Sequence, residues 1–250
     1  MLMRKSTFSL LTVIILVSFT LLQSCKDDSF LLEKPAVADQ SFSEDFDTAS
    51  AAIARGWHFI NTSVPIGGGV WQQGGGLPPW FQAYSSHGSF VGFVGADYTS
   101  TSAAAGIVSN WLVSPPVIMQ NGDKIVFYTR GLLYYTGVGT DSTDYANRLQ
   151  VNINQYNDYL TVGDGSDPGD FKNTLLDINS NYEEFHTDPN LYSPTAYPSN
   201  WTRFEATVTG LNGPVKGRFA FRYFVEGAGS NGLGSGVAID KVSYLSVNHH

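Results

Sequence analysis

The chain has 250 residues and a formal net charge of −8, with 14 lysines and arginines against 22 acids. An acidic chain without basic clusters is a poor partner for nucleic acid, whose phosphates must be met by Lys and Arg. Aromatic and charged residues each make up 14%, beside 26 glycines, 11 prolines and one cysteine; this excludes an intrachain disulfide framework and describes a turn-rich β protein held by its core.

Residues 1–24 read as a secretory signal. Arg4 and Lys5 precede an apolar run from Phe8 to Leu22 that is too short and too serine-dotted for a membrane span. The run ends in Leu22-Gln23-Ser24-Cys25, which resembles the bacterial lipobox. The expected mature chain therefore begins at Cys25, acylated with palmitate-type chains, and two or more such chains suffice for stable anchoring. An ordinary signal peptide with an incidental cysteine is the alternative. Lys26-Asp27-Asp28 resembles the short signal that carries some Gram-negative lipoproteins across the outer membrane. The expected location is the outer membrane, lipid-anchored and facing outward. Residues 25–40 read as a lipidated tether and 41–250 as one domain.

In the first expected strand, Phe42, Glu44 and Phe46 share a face by the period of two. A bare acid between two phenylalanines would cost several kcal/mol to bury, so Glu44 needs a partner or an open face. Thr48 to Arg55 is the one helical patch, Ala-rich and stopped by Gly56. Ile66 to Trp80 is a glycine-rich loop that carries Trp71 and Trp80. It is read either as a loop with Trp71 tucked onto the core or as an aromatic platform for a sugar ring. Trp111 and Val113 share a strand face, and Pro115-Pro116, which cannot donate ladder hydrogen bonds, end that strand or mark an edge. Asn121-Gly122 and Asn212-Gly213 are hairpin signals. Gly131 to Asn147 is a loop with paired Tyr134-Tyr135, and Leu149, Val151 and Ile153 alternate inward against Gln150, Asn152 and Asn154. The long excursion from Asp158 to Asn200 holds Asp164, Asp167 and Asp170 at turn positions rather than in a calcium loop. Phe219, Phe221, Tyr223 and Val225 define the clearest strand. In the closing strand, Val237 to Leu245, the alternation breaks at Asp240-Lys241, which requires a bulge or a satisfied internal charge.

Ser41-Phe42-Ser43-Glu44-Asp45-Phe46-Asp47, Trp111-Leu112-Val113-Ser114-Pro115-Pro116, Val162 to Phe171, Trp201-Thr202-Arg203-Phe204, Gly217 to Val225 and Gly236 to Val242 together resemble the choice-of-anchor J domain, related to the cleaved-adhesin family. The resemblance covers roughly Phe42 to Val247. It implies an all-β fold, a jelly-roll β-sandwich of two antiparallel sheets, without catalytic machinery. It also implies a structural Ca2+ near paired terminal strands, for which Glu44 and Asp240 are the candidate ligands. A salt bridge from Arg218 or Arg222, or simple exposure, is the alternative.

The sequence lacks a Gly-x-Ser-x-Gly elbow, and its neighbouring acid pairs, Glu44-Asp45 and Glu183-Glu184, point apart in a strand. The expected function is non-catalytic: a surface lipoprotein that binds carbohydrate or mediates adhesion, with Trp71, Trp80, Tyr134 and Tyr135 as candidate contacts. Contact with a surface protein is the alternative, and a polysaccharide-acting hydrolase the more distant one.

Overall fold

A computed structural model describes residues 36–86 and 88–247. The signal, Cys25, most of the tether and His87 lie outside the described residues. The chain divides after Val37, and the architecture below belongs to the second unit, Ala38–His250.

In chain order the elements are β1 (Phe42–Glu44), α1 (Ala49–Ala54), β2 (His58–Asn61), β3 (Gln72–Gln73), β4 (Val94–Asp97), β5 (Gly106–Val113), β6 (Val117–Met119), β7 (Lys124–Gly131), β8 (Tyr134–Tyr135), β9 (Ser142–Thr143), β10 (Leu149–Asn154), β11 (Asn173–Ile178), β12 (Thr202–Thr207), β13 (Val215–Ala228) and β14 (Gly236–Leu245). All the strands but β8 and β9, which make a separate two-stranded ribbon, form a jelly-roll β-sandwich of two antiparallel sheets. One sheet runs β12-β7-β14-β4-β3, with β1 continuing the β4 edge along β14. The other runs β11-β10-β13-β5-β2, with β6 continuing the β5 edge along β13. Pro115-Pro116 separate β5 from β6, where the missing N–H groups leave the ladder open.

Phe219, Phe221, Tyr223 and Val225 all enter the core between the sheets. At one end Phe42, Trp57, Phe219 and Tyr244 pack ring against ring, with Phe42–Tyr244 centroids 6.1 Å apart and Trp57–Phe219 5.8 Å apart. Each such pair adds about 0.5–1.5 kcal/mol beyond the area it buries.

The two Asn-Gly turns do not close hairpins. Asn121-Gly122 leads from β6 in one sheet to β7 in the other, and Asn212-Gly213 leads from β12 to β13. The crossovers lie side by side: Asn121 Nδ2 donates to Leu211 O at 2.8 Å, and Leu211 N donates to Asn121 Oδ1 at 3.0 Å. Each strand has a better partner elsewhere, β7 with β12 and β6 with β13, so sheet pairing overrides the local signal.

The break in β14 is resolved both ways. The register shifts between Asp240 and Ser243, and Lys241 takes the left-handed conformation at φ 47°. Asp240 stays fully buried and accepts hydrogen bonds from the backbone N–H groups of Tyr84, Ser85 and Lys241 and from the Ser85 hydroxyl. Burial still pushes its carboxyl above the ordinary range.

Glu44 is buried and held from the end of α1: Arg55 donates Nε to Oε2 at 2.8 Å and Nη2 to Oε1 at 2.6 Å, while Phe46 N donates to Oε1 at 3.0 Å. Neither Arg218 nor Arg222 is the partner. Glu44 pairs in register with Val242, so the terminal strands do meet. The carboxylates of Glu44 and Asp240 are nevertheless committed to separate sets of N–H and O–H donors. Such donors occupy the lone pairs a hard cation would need, and the residues do not fit a shared calcium.

Candidate functional site

The loops at one end of the sandwich enclose a cleft of about 410 Å³ walled by Tyr98, Tyr134 and Tyr145. Its floor and rim come from the β13–β14 loop, which contributes Ser230, Asn231 and Ser235 among glycines. The rings of Tyr98 and Tyr134 meet edge to face, 6.2 Å apart at 71°.

Each tyrosine is placed by local chemistry. Tyr98 opens a short 3-10 turn capped by Asp97, whose Oδ1 accepts from Thr99 N at 2.9 Å. Burial raises the Asp97 carboxyl, and the cap offsets part of that cost. Tyr134 lies just past the end of β7, in the short ribbon that β8 makes with β9. Burial also raises its phenol, so the hydroxyl stays neutral as both donor and acceptor.

Tyr145 sits in a strained turn. It and Ala146 both have positive φ, 52° and 61°, a conformation that costs a non-glycine residue on the order of 1–2 kcal/mol. Asp144 offsets the strain: its Oδ1 accepts from Ala146 N at 3.0 Å and from Phe185 N at 2.9 Å, and its Oδ2 from Asn147 N at 3.1 Å. Burial pushes Asp144 up to about 6 against the pull of those three N–H groups. Its oxygens are turned to backbone, away from the cleft.

Asn147 is the hub beneath the floor. Its Oδ1 accepts from Tyr223 Oη at 2.9 Å and from Gly236 N at 3.0 Å, and its Nδ2 donates to Ser235 Oγ at 2.8 Å. Gly234 beside it has φ +78°, and a Cβ there would stand 2.5 Å from the Tyr223 hydroxyl. Only glycine lets the loop pass at this point.

Among the described residues, no acid, histidine or cysteine lines the cleft. Three aromatic walls with hydroxyls and an amide at the rim can stack on a sugar ring and bond its hydroxyls. They cannot supply the carboxylate pair of a glycosidase.

Of the four expected contacts, only Tyr134 lines this cleft. Tyr135, its neighbour in an extended segment, points the other way and donates its hydroxyl to Gly139 O at 3.0 Å. Trp71 is 1% exposed and belongs to the core, so it has no free ring face for a ligand. Trp80 lies against a floor of glycines: Cβ atoms built at Gly75, Gly95 and Gly236 would meet its indole at 2.2, 2.6 and 3.0 Å. With Phe81, Phe93 and Trp201 it seals the outer face of the β14 sheet. Tyr98 and Tyr145 were not among the expected contacts. Both follow an aspartate, and Asp-Tyr with a small or hydroxyl residue next is a turn signal that displays the ring.

No protein-family model matches the sequence, and no curated protein does. Among solved structures, the chain is similar to the K1 cleaved adhesin domain of Lys-gingipain from Porphyromonas gingivalis W83, at 18% identity and a TM-score of 0.49 over 82% of this chain and 98% of that one. It is also similar to the C-terminal CBM6 of LamC, a marine laminarinase from Zobellia galactanivorans, at 10% identity and a TM-score of 0.35 over 82% and 99%. An arabinose-bound α-L-arabinofuranosidase matches at 12% identity and a TM-score of 0.38 over 84% of this chain and 25% of that one.

Proposed function

We propose that this protein is a non-catalytic saccharide-binding module, displayed outward from the outer membrane on an acylated Cys25. The observation that carries the reading is the cleft of Tyr98, Tyr134 and Tyr145 above a Ser- and Asn-bearing glycine loop, without an acid in its lining. Aromatic rings give the apolar faces of a sugar a large contact at low entropic cost, and the rim groups set orientation. A strained Tyr145 turn, braced by Asp144, fits a ring held ready for a ligand. The test is a glycan array followed by titration of the retained saccharide against wild type and Tyr134→Ala. The variant is expected to bind at least about tenfold more weakly while staying folded, its melting temperature lowered by no more than about 5 °C for the lost Tyr98 contact. Retention of no glycan, or equal affinity in the variant, contradicts the reading.

A second reading, adhesion to a protein, is favoured by the loop that carries Leu77, Phe90 and Val91, all exposed, with Leu77 at 95%. It predicts capture of a surface protein that is lost in Leu77→Asp and indifferent to Tyr134→Ala.

A further inference from the structure

Among the arginines of the described residues, five are hydrogen-bonded. Arg55 holds Glu44, Arg148 holds Asp177 and Arg203 holds Glu205. Arg218 donates to the carbonyls of Asp158 and Ser114, and Arg222 to Gly165 O and Ser109 Oγ. Arg130 is the exception. Its Nε is buried without a hydrogen-bond partner, and it makes no ion pair with any described residue. Its guanidinium lies 3.9 Å above the Phe81 ring, and burial lowers its pKa with no acid near enough to oppose the shift. The loss of water at Nε, with nothing in its place, costs stability, and one cation–π contact of about 0.5–2 kcal/mol offsets only part of that.

Arg130 opens onto a second cleft, of about 450 Å³, on the other side of the β7–β8 connection. Consecutive residues divide the two: Leu133 lines this cleft and Tyr134 the tyrosine cleft. The walls include Phe185 and Tyr192, whose rings meet edge to face at 5.9 Å, and His186, Thr187, Ser199 and Asn200; both ring nitrogens of His186 are already engaged by acids, Asp141 at 2.8 Å and Glu184 at 3.2 Å. The chemistry is that of a sugar site in which Arg130, of the two basic side chains in the lining, is the one without a carboxylate partner among the described residues. A lone planar guanidinium matches one carboxylate in a two-pronged bond. The net charge of −8 repels ligands that carry many anionic groups.

We infer that the Arg130 cleft is a second binding site and takes the carboxylate of a uronate unit in the bound saccharide. This rests on the reading of the protein as a saccharide binder and names an acidic sugar as part of its ligand.

The test titrates tri-galacturonate and its fully methyl-esterified form into wild type, Arg130→Gln, Arg130→Lys and Tyr134→Ala. Wild type is expected to bind the acid at least about tenfold more tightly than the ester. Arg130→Gln should erase that preference, leave the ester's affinity unchanged and melt at the same temperature or higher, because it removes an uncompensated charge. Arg130→Lys should keep part of the preference. Equal binding of acid and ester by wild type overturns the inference. So does a lowered melting temperature in Arg130→Gln together with loss of both ligands, which would make Arg130 a part of the fold. Displacement of the acid trimer by millimolar inorganic sulfate overturns it as well, since the site would then be a general anion hole. If neither trimer binds while a neutral saccharide binds with Tyr134 dependence, the uronate site falls and the saccharide reading stands. If no saccharide binds at all, both fall.

Discussion

Gly95 is a clean probe of how the outer face of the β14 sheet is sealed. It lies in the middle of β4, is buried and needs no left-handed backbone, so an added methyl acts by volume alone. That methyl would stand 2.6 Å from Trp80 Cζ3, 3.0 Å from Cη2 and 2.9 Å from Gly75 Cα. Carbon atoms pack best about 3.5–4.0 Å apart, so the indole must rise by about 1 Å or the strand must shift. Overpacking of this kind costs about 1–3 kcal/mol, which for a domain of this size lowers the melting temperature by roughly 3–10 °C. The assay is thermal unfolding followed by circular dichroism, on Gly95→Ala in the wild-type and Trp80→Ala backgrounds. Trp80→Ala removes the obstacle, so Gly95→Ala should cost at least about 1 kcal/mol less in that background. An unchanged melting temperature in Gly95→Ala, or the same penalty in both backgrounds, refutes the reasoning and releases Trp80 as a movable ring.

Arg55→Ala strips Glu44 of its cation and leaves one backbone N–H on a buried carboxylate; water reaches the half-exposed Arg55 site, so the expected loss is about 1–3 kcal/mol by urea unfolding, and a loss near zero would show Glu44 solvated. Asp144 has a folded pKa of about 6 against an ordinary 3.8, so its contribution to stability is greatest below pH 3.8 and is lost as pH rises through 6, a change of about 3 kcal/mol. Carboxyl-carbon NMR should place its midpoint near 6, and a midpoint below 4 contradicts the burial argument. His186 bridges Asp141 at 2.8 Å and Glu184 at 3.2 Å, and both acids raise its pKa, the Asp141 bond most. The latch is therefore fully formed below pH 6.5 and loosens as pH rises through the raised value. Protection factors of the Thr187 and Asp188 amides should fall across that range in wild type and stay flat in His186→Gln.

Much of the sandwich is legible in the sequence because burial on one face of a strand enforces a period of two. Phe219 to Val225 and Leu149 to Ile153 show it directly. The same rule turns Asn152 and Asn154 to the other face, as read, but does not show that they are buried there, because the 155–172 segment adds a layer over that sheet. Glu44 and the Asp240-Lys241 break were readable as problems needing a partner. Their solutions were not, since Arg55 is brought by α1, and Tyr84 and Ser85 by a loop 155 residues or more away in sequence. The Asn-Gly turns failed as hairpins because turn chemistry reports the bend and not which sheet receives the next strand. The candidate cleft was legible only at Tyr134. Aromatic count in a glycine-rich stretch pointed to Trp71 and Trp80, but glycines that let a chain approach closely also let a ring lie flat and disappear, as they do beneath Trp80. Tyr98 and Tyr145 converge through loops far apart in sequence, and no local pattern brings them together.

The central claim is tested most directly by aromatic-ring NMR of tyrosine-labelled protein during titration with the saccharide retained on an array. The account predicts saturable shifts of the Tyr98, Tyr134 and Tyr145 rings, with Tyr135, Tyr156 and Tyr159 unmoved. Shifts confined to those other rings, or none at saturating ligand, would contradict it.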